Sequence, residues 1–417
     1  MSIKRPFFSI ILPTFNRGSL IGLAIRSVLG QTFDDFELVI SNGGSTDDTK
    51  KVVARFEDER IRYFETRERL NMGENYQNAL NQASGEYILF FSDDDALIGT
   101  ALERLKRVID GNNADMVIFP LAYYFHEKSQ EFGRQIDGNT LAFLPYTRAV
   151  STVESGYALE QMCSHGNISQ IPVDVRHVAP FIGNVAYHHS INDKLKTRTS
   201  NFFATVPIDI YFIAMVLGLT DRYYLLDEPL LVWSKWSKNS TATFEMTGDR
   251  LRQHYENLLK GDTLRHVPLK FALPSNCGTN AVLQAMADLD CQSAGSPADW
   301  TNYFIKTYEY LTHFGELGVN TVREFDELDR VLSEQSVEIQ IPVKEWLQMQ
   351  NNSIKARAKK RFRTTFPAAA GVLRRWAKVS RDRQAITVKG GRNGFNNFLE
   401  CAEYLDKNVD RLADKKD

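Results

Sequence analysis

The 417-residue sequence has few cysteines and no cysteine-rich motif. Its four cysteines (Cys163, Cys277, Cys291 and Cys401) are far apart and include no Cys-x-x-Cys pair. This spacing argues against a structural zinc site and against a disulfide scaffold, and it is compatible with a reducing cytoplasm.

Long apolar runs and a large net charge are also missing. No stretch reaches the ~18 uncharged apolar residues that a transmembrane helix needs, and Pro13 interrupts the N-terminal apolar run too early for a secretory signal. The sequence has 50 Lys and Arg residues and 52 Asp and Glu residues, so its net charge is −2. This near-neutral charge disfavours a globally basic nucleic-acid binder. We therefore expect a cytoplasmic protein that is soluble or peripheral at the inner face of the membrane.

Two hydrophobic periodicities alternate over residues 1–120. Apolar runs rich in β-formers predict strands at 7–12, 36–41, 61–65, 86–92 and 116–119, and helical spacing predicts helices between them. This alternation predicts an α/β fold with a mostly parallel, Rossmann-like sheet, helices on both faces, and ligands bound beyond the carboxyl ends of the strands. The pattern is less regular afterwards and mostly helical beyond residue 240, so we expect a domain over 1–240 and a helical C-terminal region over 241–417.

An acidic triplet, Asp93-Asp94-Asp95, directly follows the strongest predicted strand, EYILFFS. Adjacent carboxylates repel one another, and a turn between a strand and a helix does not need them for folding. Carboxylate oxygens are suitable ligands for Mg²⁺ and Mn²⁺, so one interpretation of the triplet is a metal site. The competing interpretation is a solvent-exposed N-terminal cap of the next helix. Because a buried strand delivers the triplet to the ligand-binding edge, the metal interpretation is favoured.

Two other turns of small or hydrogen-bonding residues follow the first two strands, at 13–17 (PTFNR) and 41–48 (SNGGSTDD). Each opens a helix in a way that lets backbone amides approach an anion. Neither contains a Gly-x-Gly-x-x-Gly fingerprint or a Walker loop, so the defining residues of dinucleotide and P-loop sites are missing. Three loops at one sheet edge, one of them acidic, favour a nucleoside diphosphate whose charge a metal neutralises.

These motifs resemble the nucleotide-binding half of the family 2 glycosyltransferases with the GT-A fold. The matching runs are FFSIILPTFNR, ELVISNGGSTDDT, NMGENYQNALNQASGEYILFFSDDD and the later DEPLLVW. The resemblance implies a nucleotide-sugar donor bound by residues 1–120, an acceptor side at 121–240, Mn²⁺ or Mg²⁺ at the acidic cluster, and inversion at the anomeric carbon. It also implies a glycan or lipid-linked acceptor in surface polysaccharide assembly.

The resemblance assigns roles to individual residues. It places Asp93 near the ribose or diphosphate and within reach of the metal, with Asp94 and Asp95 as the main metal contacts. Asn42 stands where the family usually has Asp; its amide offers both an acceptor and a donor to the base, so UDP is favoured while GDP and dTDP stay open. The other residues expected to bind the nucleotide sugar are Pro13, Thr14, Phe15, Asn16, Arg17, Gly44, Ser45, Asn71 and Asn75.

An inverting transfer needs a general base for the acceptor hydroxyl. The resemblance places this base in an Asp at the start of a helix, and Asp209 in VPIDIY matches that place, although Ile208 stands where the family has an acid. The competing interpretation is an ordinary helix N-terminal residue favoured by the dipole. Asp193 is the alternative base. The neighbouring His188-His189 pair either completes the metal shell or contacts the diphosphate, whereas ordinary packing or surface positions are the favoured interpretation.

The segment 353–383 carries eleven basic residues against one acid, with aromatic residues interleaved. This composition suits an anionic membrane surface, although a solvated surface and, less favoured, RNA binding are open. Trp233 and Trp236 either stack on an acceptor sugar or pack in the core. Two other function classes are considered: a sugar-phosphate nucleotidyltransferase, for which PTFNRGS is a poor match, and a non-catalytic binding protein, against which the intact acidic triplet argues.

Overall fold

The computed structural model describes residues 5–131, 134–165, 180–235, 253, 256, 264–290, 298–316, 318–363, 385–391 and 393–408. Strands β1 to β15 cover Phe8–Thr14, Phe36–Asn42, Ile61–Glu65, Tyr87–Phe90, Ala96–Leu97, Met116–Ile118, Leu121–Phe125, Ser129–Glu131, Arg134–Ile136, Thr140–Phe143, Val150–Glu154, Val185–His188, Arg222–Leu226, Leu231–Lys235 and Ile386–Lys389. Helices α1 to α12 cover Ile21–Leu29, Thr49–Val53, Met72–Asn81, Ala101–Asn112, Ser155–His165, Ser190–Lys196, Ile208–Gly218, Pro274–Asp288, Trp300–Glu316, Val322–Ser333, Val337–Arg363 and Phe398–Lys407.

The main sheet has eight strands in the order β11-β13-β6-β12-β4-β1-β2-β3. Strands β1, β2, β3 and β4 pair in parallel, and β6 and β13 run the same way, whereas β11 and β12 run antiparallel. The predicted α/β fold with a mostly parallel sheet is therefore confirmed. All five strands predicted within residues 1–120 are present.

Burial patterns and helix capping explain why these segments form strands and helices. Every residue of β1 and β2 is buried, which is why they read as continuous apolar runs rather than as alternating ones. Helix α1 buries Ile21, Ala24, Ile25 and Val28, one face at helical spacing. Helix α3 begins with a capping box in which the Asn71 side chain and the amide of Glu74 pair.

A second, five-stranded sheet has the order β15-β10-β7-β14-β5 and was not predicted from the sequence. One of its edge strands, β5, directly follows the acidic triplet in the chain. The other edge strand, β15, comes from the C-terminal part of the chain. Helix α12 then buries Phe398 and Leu405 in the apolar core of the main sheet. The division of the chain at residue 240 stays a prediction.

A separate apolar cluster is formed by side chains from 264–290, 298–316 and 318–347, and it includes Leu269, Phe304 and Leu328. Of the basic segment 353–383, residues 353–363 belong to the backbone of α11, and the remainder lies outside the described residues. No helix within the described ranges combines the length and the apolar character needed to cross a membrane.

Candidate active site

Strand β4 leads into the acidic triplet at the carboxyl end of the main sheet. The three residues are 8%, 6% and 4% exposed, in chain order. Each carboxylate accepts a hydrogen bond from a different protein group: Thr14 Oγ1 to Asp93 at 2.6 Å, Ser92 Oγ to Asp94 at 2.7 Å, and the Ser234 amide to Asp95 at 2.8 Å. Strands β1 and β14 therefore hold the outer members of the triplet in place.

The surroundings of the triplet raise the pKa of all three carboxyl groups. Burial, followed by the negative charge of Asp94, raises the pKa of Asp93 to about 7, although Arg17 opposes the shift with its Nε 3.4 Å from Asp93 Oδ1. Burial also raises the pKa of Asp94, and burial with the charges of its two neighbours raises the pKa of Asp95. Buried, mutually repelling carboxylates favour the binding of a cation.

The arrangement is not by itself a closed metal cage. In the part of the chain that the structure describes, no three His, Cys, Asp or Glu side chains come together to hold an ion. Mg²⁺ is commonly bound by one or two carboxylates together with substrate phosphates and water. The charge and the oxygen donors of the triplet therefore fit an ion that shares its ligands with a bound diphosphate.

The loops after β1 and β2 are joined by hydrogen bonds. The Asn16 amide donates to Ser45 Oγ at 2.8 Å, and the Thr46 amide donates to Asn16 Oδ1 at 2.8 Å. Gly44 has a φ of +81°, and a Cβ there would lie 2.7 Å from the carbonyl oxygen of Glu68. The structure thus brings the predicted residues Pro13 to Arg17 next to Asn42, Gly44 and Ser45.

Asn42 is fully buried, with both ends of its amide engaged. Its Oδ1 accepts a hydrogen bond from the Ser45 amide at 3.0 Å, and its Nδ2 donates to the Tyr63 hydroxyl at 2.8 Å. The bond to Tyr63 uses one of the two Nδ2 hydrogens, so the second is the donor that the amide could offer to a nucleotide base. A cavity of about 460 Å³ lies beside this loop and is lined by Gly44, Ser45, Thr46, Glu65, Thr66 and Arg67.

Helix α3 supplies the two other asparagines of the predicted set. Asn75 is buried and links α3 to β1 and β2. Its Nδ2 donates a hydrogen bond to the Thr14 carbonyl of β1 at 3.1 Å, and its Oδ1 accepts one from Ser41 Oγ of β2 at 2.7 Å. The Asn71 side chain accepts from the Glu74 amide at 2.9 Å, so in this structure it caps the helix.

Asp209 lies in the first turn of α7, and burial raises the pKa of its carboxyl. Asp209 and the whole triplet act on one side chain, Tyr76, because their negative charges add to burial in raising the pKa of its phenol. The Tyr76 ring packs against Phe90 and Phe203, with ring centres 5.5 and 5.4 Å apart. The candidate base and the candidate metal-binding residues are therefore near enough for their charges to act on the same phenol.

The histidine pair and Asp193 lie at the other end of the main sheet. His188 is paired with Tyr87, the first residue of β4, whereas the triplet follows the last residue of that strand. His189 contacts Arg5, with Nε2 2.6 Å from Nη1. The structure does not bring either histidine or Asp193 to the acidic triplet, because β12 runs antiparallel to β4.

Trp233 is surrounded by protein groups. The Phe181 ring stacks on it at 5.2 Å, the Tyr123 ring lies 5.8 Å away, and Lys235 Nζ lies 4.7 Å from its ring centre. These contacts favour the packing interpretation over stacking on a sugar. Trp236 lies outside the described residues.

Sequence reasoning missed the residues that orient the triplet and Asn42. Ser92 is adjacent to the triplet, so its position alone could have indicated a local hydrogen bond. Ser234 and Tyr63 gave no such signal, because each reaches its partner from a separate strand.

Comparison with known families places these observations in context. The family model described as "Glycosyl transferase family 2" matches residues 9–161, the segment that contains the loops after β1 and β2 and the acidic triplet. Residues 9–161 therefore resemble a family 2 glycosyltransferase domain.

Two curated proteins show what this chain is similar to. The GalNAc(5)-diNAcBac-PP-undecaprenol beta-1,3-glucosyltransferase of Campylobacter jejuni is 44% identical over 105 residues, which cover 24% of this chain and 34% of that protein. The UDP-Glc:alpha-D-GlcNAc-diphosphoundecaprenol beta-1,3-glucosyltransferase WfgD of Escherichia coli is 34% identical over 105 residues, which cover 25% of this chain and 42% of that protein. The chain thus matches less than half the length of these relatives.

Among solved structures, S. aureus TarS 1–349 in complex with UDP-GlcNAc aligns with a TM-score of 0.45 at 13% identity. The alignment covers 82% of this chain and 92% of that one. A similarity at this level carries no argument about the site.

Proposed function

We propose that the chain transfers a sugar from a nucleotide-sugar donor, with a UDP-sugar favoured, to a glycan or lipid-linked acceptor in surface polysaccharide assembly, with inversion at the anomeric carbon. The observation that carries the proposal is the position of the acidic triplet, which is buried at the carboxyl end of the main sheet beside the loops after β1 and β2, with Asp209 near enough for its charge to act on the same phenol. We call the region between these groups the candidate cleft and the two loops the donor loops. The names of the C. jejuni and E. coli relatives include UDP-Glc and undecaprenol-linked glycans, which supports this donor and acceptor class.

The acidic triplet would hold Mn²⁺ or Mg²⁺ together with the donor diphosphate, with Asp94 and Asp95 as the main protein ligands and Asp93 beside them. Such an ion, when bound, neutralises charge on the leaving diphosphate. The protein prepares the site by fixing its carboxylates, since Thr14 and Arg17 hold Asp93 and the Ser234 amide holds Asp95. Preorganised groups of this kind need no reorganisation during the reaction.

Asp209 would accept the proton of the acceptor hydroxyl as its oxygen attacks the anomeric carbon. A base works best when its pKa lies near the working pH, and burial moves the pKa of Asp209 in that direction. The carboxylate also lies in the first turn of α7, where the backbone amides of Asp209 and Ile210 favour its ionised form and partly oppose the rise in its pKa.

The proposal is tested by incubating the full chain with UDP-glucose, UDP-galactose, UDP-GlcNAc, GDP-mannose or dTDP-glucose and an undecaprenyl-diphosphate-linked sugar. We expect UDP release and glycan extension that depend on Mn²⁺ or Mg²⁺ and are lost on chelation. Absence of nucleotide release with every donor, for a folded protein supplied with metal, would contradict the proposal. Equal release with and without metal would contradict its metal-dependent part.

We further propose that the basic segment 353–383 contacts an anionic membrane surface and so brings the cleft to a lipid-linked acceptor. Truncation at Asn352 is a poor test, because it also removes the buried Phe398 and Leu405. A variant with Arg374, Arg375 and Lys378 replaced by Gln keeps these core residues. Flotation with phosphatidylglycerol vesicles should be salt-sensitive for the parent chain and weaker for the variant, and equal flotation of the two proteins would rule out this role.

A further inference from the structure

Strand β14 reaches the acidic triplet at Ser234. β5 pairs with β14 through Leu231 and Val232, and two residues further along β14 the Ser234 amide donates a hydrogen bond to Asp95 Oδ1 at 2.8 Å. The Asp95 carboxylate therefore accepts a backbone hydrogen bond beyond the last residue pair of these two strands. Its orientation depends on where the end of β14 lies.

His126, which follows β7 directly, binds this end of β14 at two points. Its ring Nε2 lies 2.6 Å from Ser234 Oγ, and its backbone amide donates to the Lys235 carbonyl at 3.1 Å. Ser234 is fully buried, so loss of the imidazole would leave a buried hydroxyl with one hydrogen-bond partner fewer. The imidazole therefore helps to fix the residue whose amide binds Asp95.

The imidazole of His126 is itself held by packing. The Tyr124 ring meets it edge to face at 4.6 Å, and the Phe398 ring of α12 lies 6.4 Å away. Burial lowers the pKa of His126, so the ring is neutral at physiological pH and can donate to the Ser234 hydroxyl or accept from it. A series of contacts thus runs from α12 through His126 and Ser234 to Asp95.

We infer that His126 is a positioning residue for Asp95: through the Ser234 hydroxyl it fixes the backbone amide that orients this carboxylate for a divalent cation. The inference rests on the proposed function, in which Asp95 is a main protein ligand of the ion. Groups that orient metal ligands affect metal affinity without touching the metal. His126 acts through one further residue, so we expect a smaller effect than for a group bound directly to the ligand.

Electron paramagnetic resonance of free Mn²⁺ tests the inference without a transfer reaction, with the full chain at a fixed concentration of UDP. His126→Phe keeps an aromatic ring and removes the hydrogen bond to Ser234. It should raise the Mn²⁺ concentration for half-saturation about threefold to tenfold, the range for one hydrogen bond. His126→Gln, which retains a hydrogen-bonding amide, should restore most of the lost affinity.

Ser234→Ala removes the same hydrogen bond from the other side and keeps the backbone amide. It should weaken Mn²⁺ binding by a similar factor, and the double variant with His126→Phe should bind no more weakly than either single variant, because the two changes remove one shared interaction. This variant also tests the inference if His126→Phe does not fold.

His266→Phe is the matched control, because His266 Nε2 lies 2.8 Å from Gln284 Oε1, away from the triplet. It should leave Mn²⁺ binding unchanged. A purely structural role of His126 would lower the free energy of unfolding in urea but leave the Mn²⁺ affinity of the folded chain at the parental value.

Parental Mn²⁺ affinity in folded His126→Phe and Ser234→Ala would overturn the inference while the proposed function stands. Additive losses in the double variant, or an equal loss in His266→Phe, would overturn it as well. If the folded parent chain does not bind Mn²⁺ in the presence of UDP, the metal-dependent part of the proposed function fails, and the inference fails with it.

Discussion

At the scale of single residues, Asp209 combines the two properties that a general base for glycosyl transfer needs. Its charge acts on the same side chain, Tyr76, as the charges of the acidic triplet, and its buried position raises the pKa of its carboxyl. We expect Asp209→Asn to fold normally and to lose at least ~10²-fold in kcat, the scale for one acid–base group.

Asp193→Asn is the control for this variant, because Asp193 lies at the opposite end of the main sheet and is paired with His189 at 3.8 Å. Steady-state rates of UDP release measure both variants. A near-parental rate for Asp209→Asn would remove Asp209 from the mechanism, and a large loss for Asp193→Asn would make it the better candidate.

The pKa shift of Asp209 also predicts a pH dependence. Because the base acts in its ionised form and its pKa is raised, kcat should fall as the pH decreases through a value above the roughly 3.9 of an ordinary aspartate. The measurement is kcat against pH at saturating donor and metal. A rate that stays constant down to the ordinary aspartate range would show that Asp209 does not titrate as the base.

Some of these residues were predictable and others were not. The acidic triplet was found from its place after a strong buried strand, and Asp209 from its place at the start of a helix in a familiar motif order. The distance of Asp193 from the cleft was not predictable, because it depends on β12 entering the sheet antiparallel to β4. The hydrogen bond from the Ser234 backbone amide to Asp95 was not predictable either, because it depends on how the second sheet packs.

At the scale of elements, the donor loop after β2 depends on Gly44. Its φ of +81° disfavours any other residue, and a side chain has no room because its Cβ would lie only 2.7 Å from the Glu68 carbonyl oxygen. Gly44→Ala should therefore displace this loop and lower UDP affinity at least tenfold in calorimetry. Gly111→Ala in α4 meets no atom within 4 Å and should leave UDP affinity unchanged; equal UDP affinity in both variants would exclude the loop from the donor site.

Helix α12 supports the candidate site from the C-terminal part of the chain. Its Leu405 is fully buried in the main core, and α12 packs against β14, whose Ser234 amide holds Asp95. We expect Leu405→Ala to lower the free energy of unfolding by about 2–5 kcal/mol in urea denaturation and to reduce transfer activity.

Met349→Ala is the corresponding control, because Met349 is 62% exposed and its truncation should change stability by less than about 0.5 kcal/mol. A Leu405→Ala variant as stable as Met349→Ala would mean that α12 does not belong to the core of the main sheet.

The elements differ in how far the sequence predicted them. The parallel strands of the main sheet appear as uninterrupted apolar runs because both of their faces are covered, so their positions were predictable. The second sheet was not, since its strands are short and join distant parts of the chain, such as β10 with β15. A local hydrophobic periodicity does not predict which distant strands pair with each other.

At the scale of the whole molecule, the chain is nearly neutral but its charges are unevenly distributed. The net charge is −2, yet buried carboxylates gather at one cleft and eleven basic residues gather in the segment 353–383. In our account the acidic cleft takes the metal and the donor, and the basic segment contacts the membrane that carries the acceptor.

The most direct test of the central claim is titration calorimetry of UDP-glucose into the parent chain and into Asp94→Asn/Asp95→Asn, each with Mn²⁺ and with EDTA. The account predicts binding to the parent chain that requires Mn²⁺ and is lost in the double variant, although that variant remains folded. Equal affinity in all four titrations would contradict it, because the acidic triplet would then have no part in holding the donor.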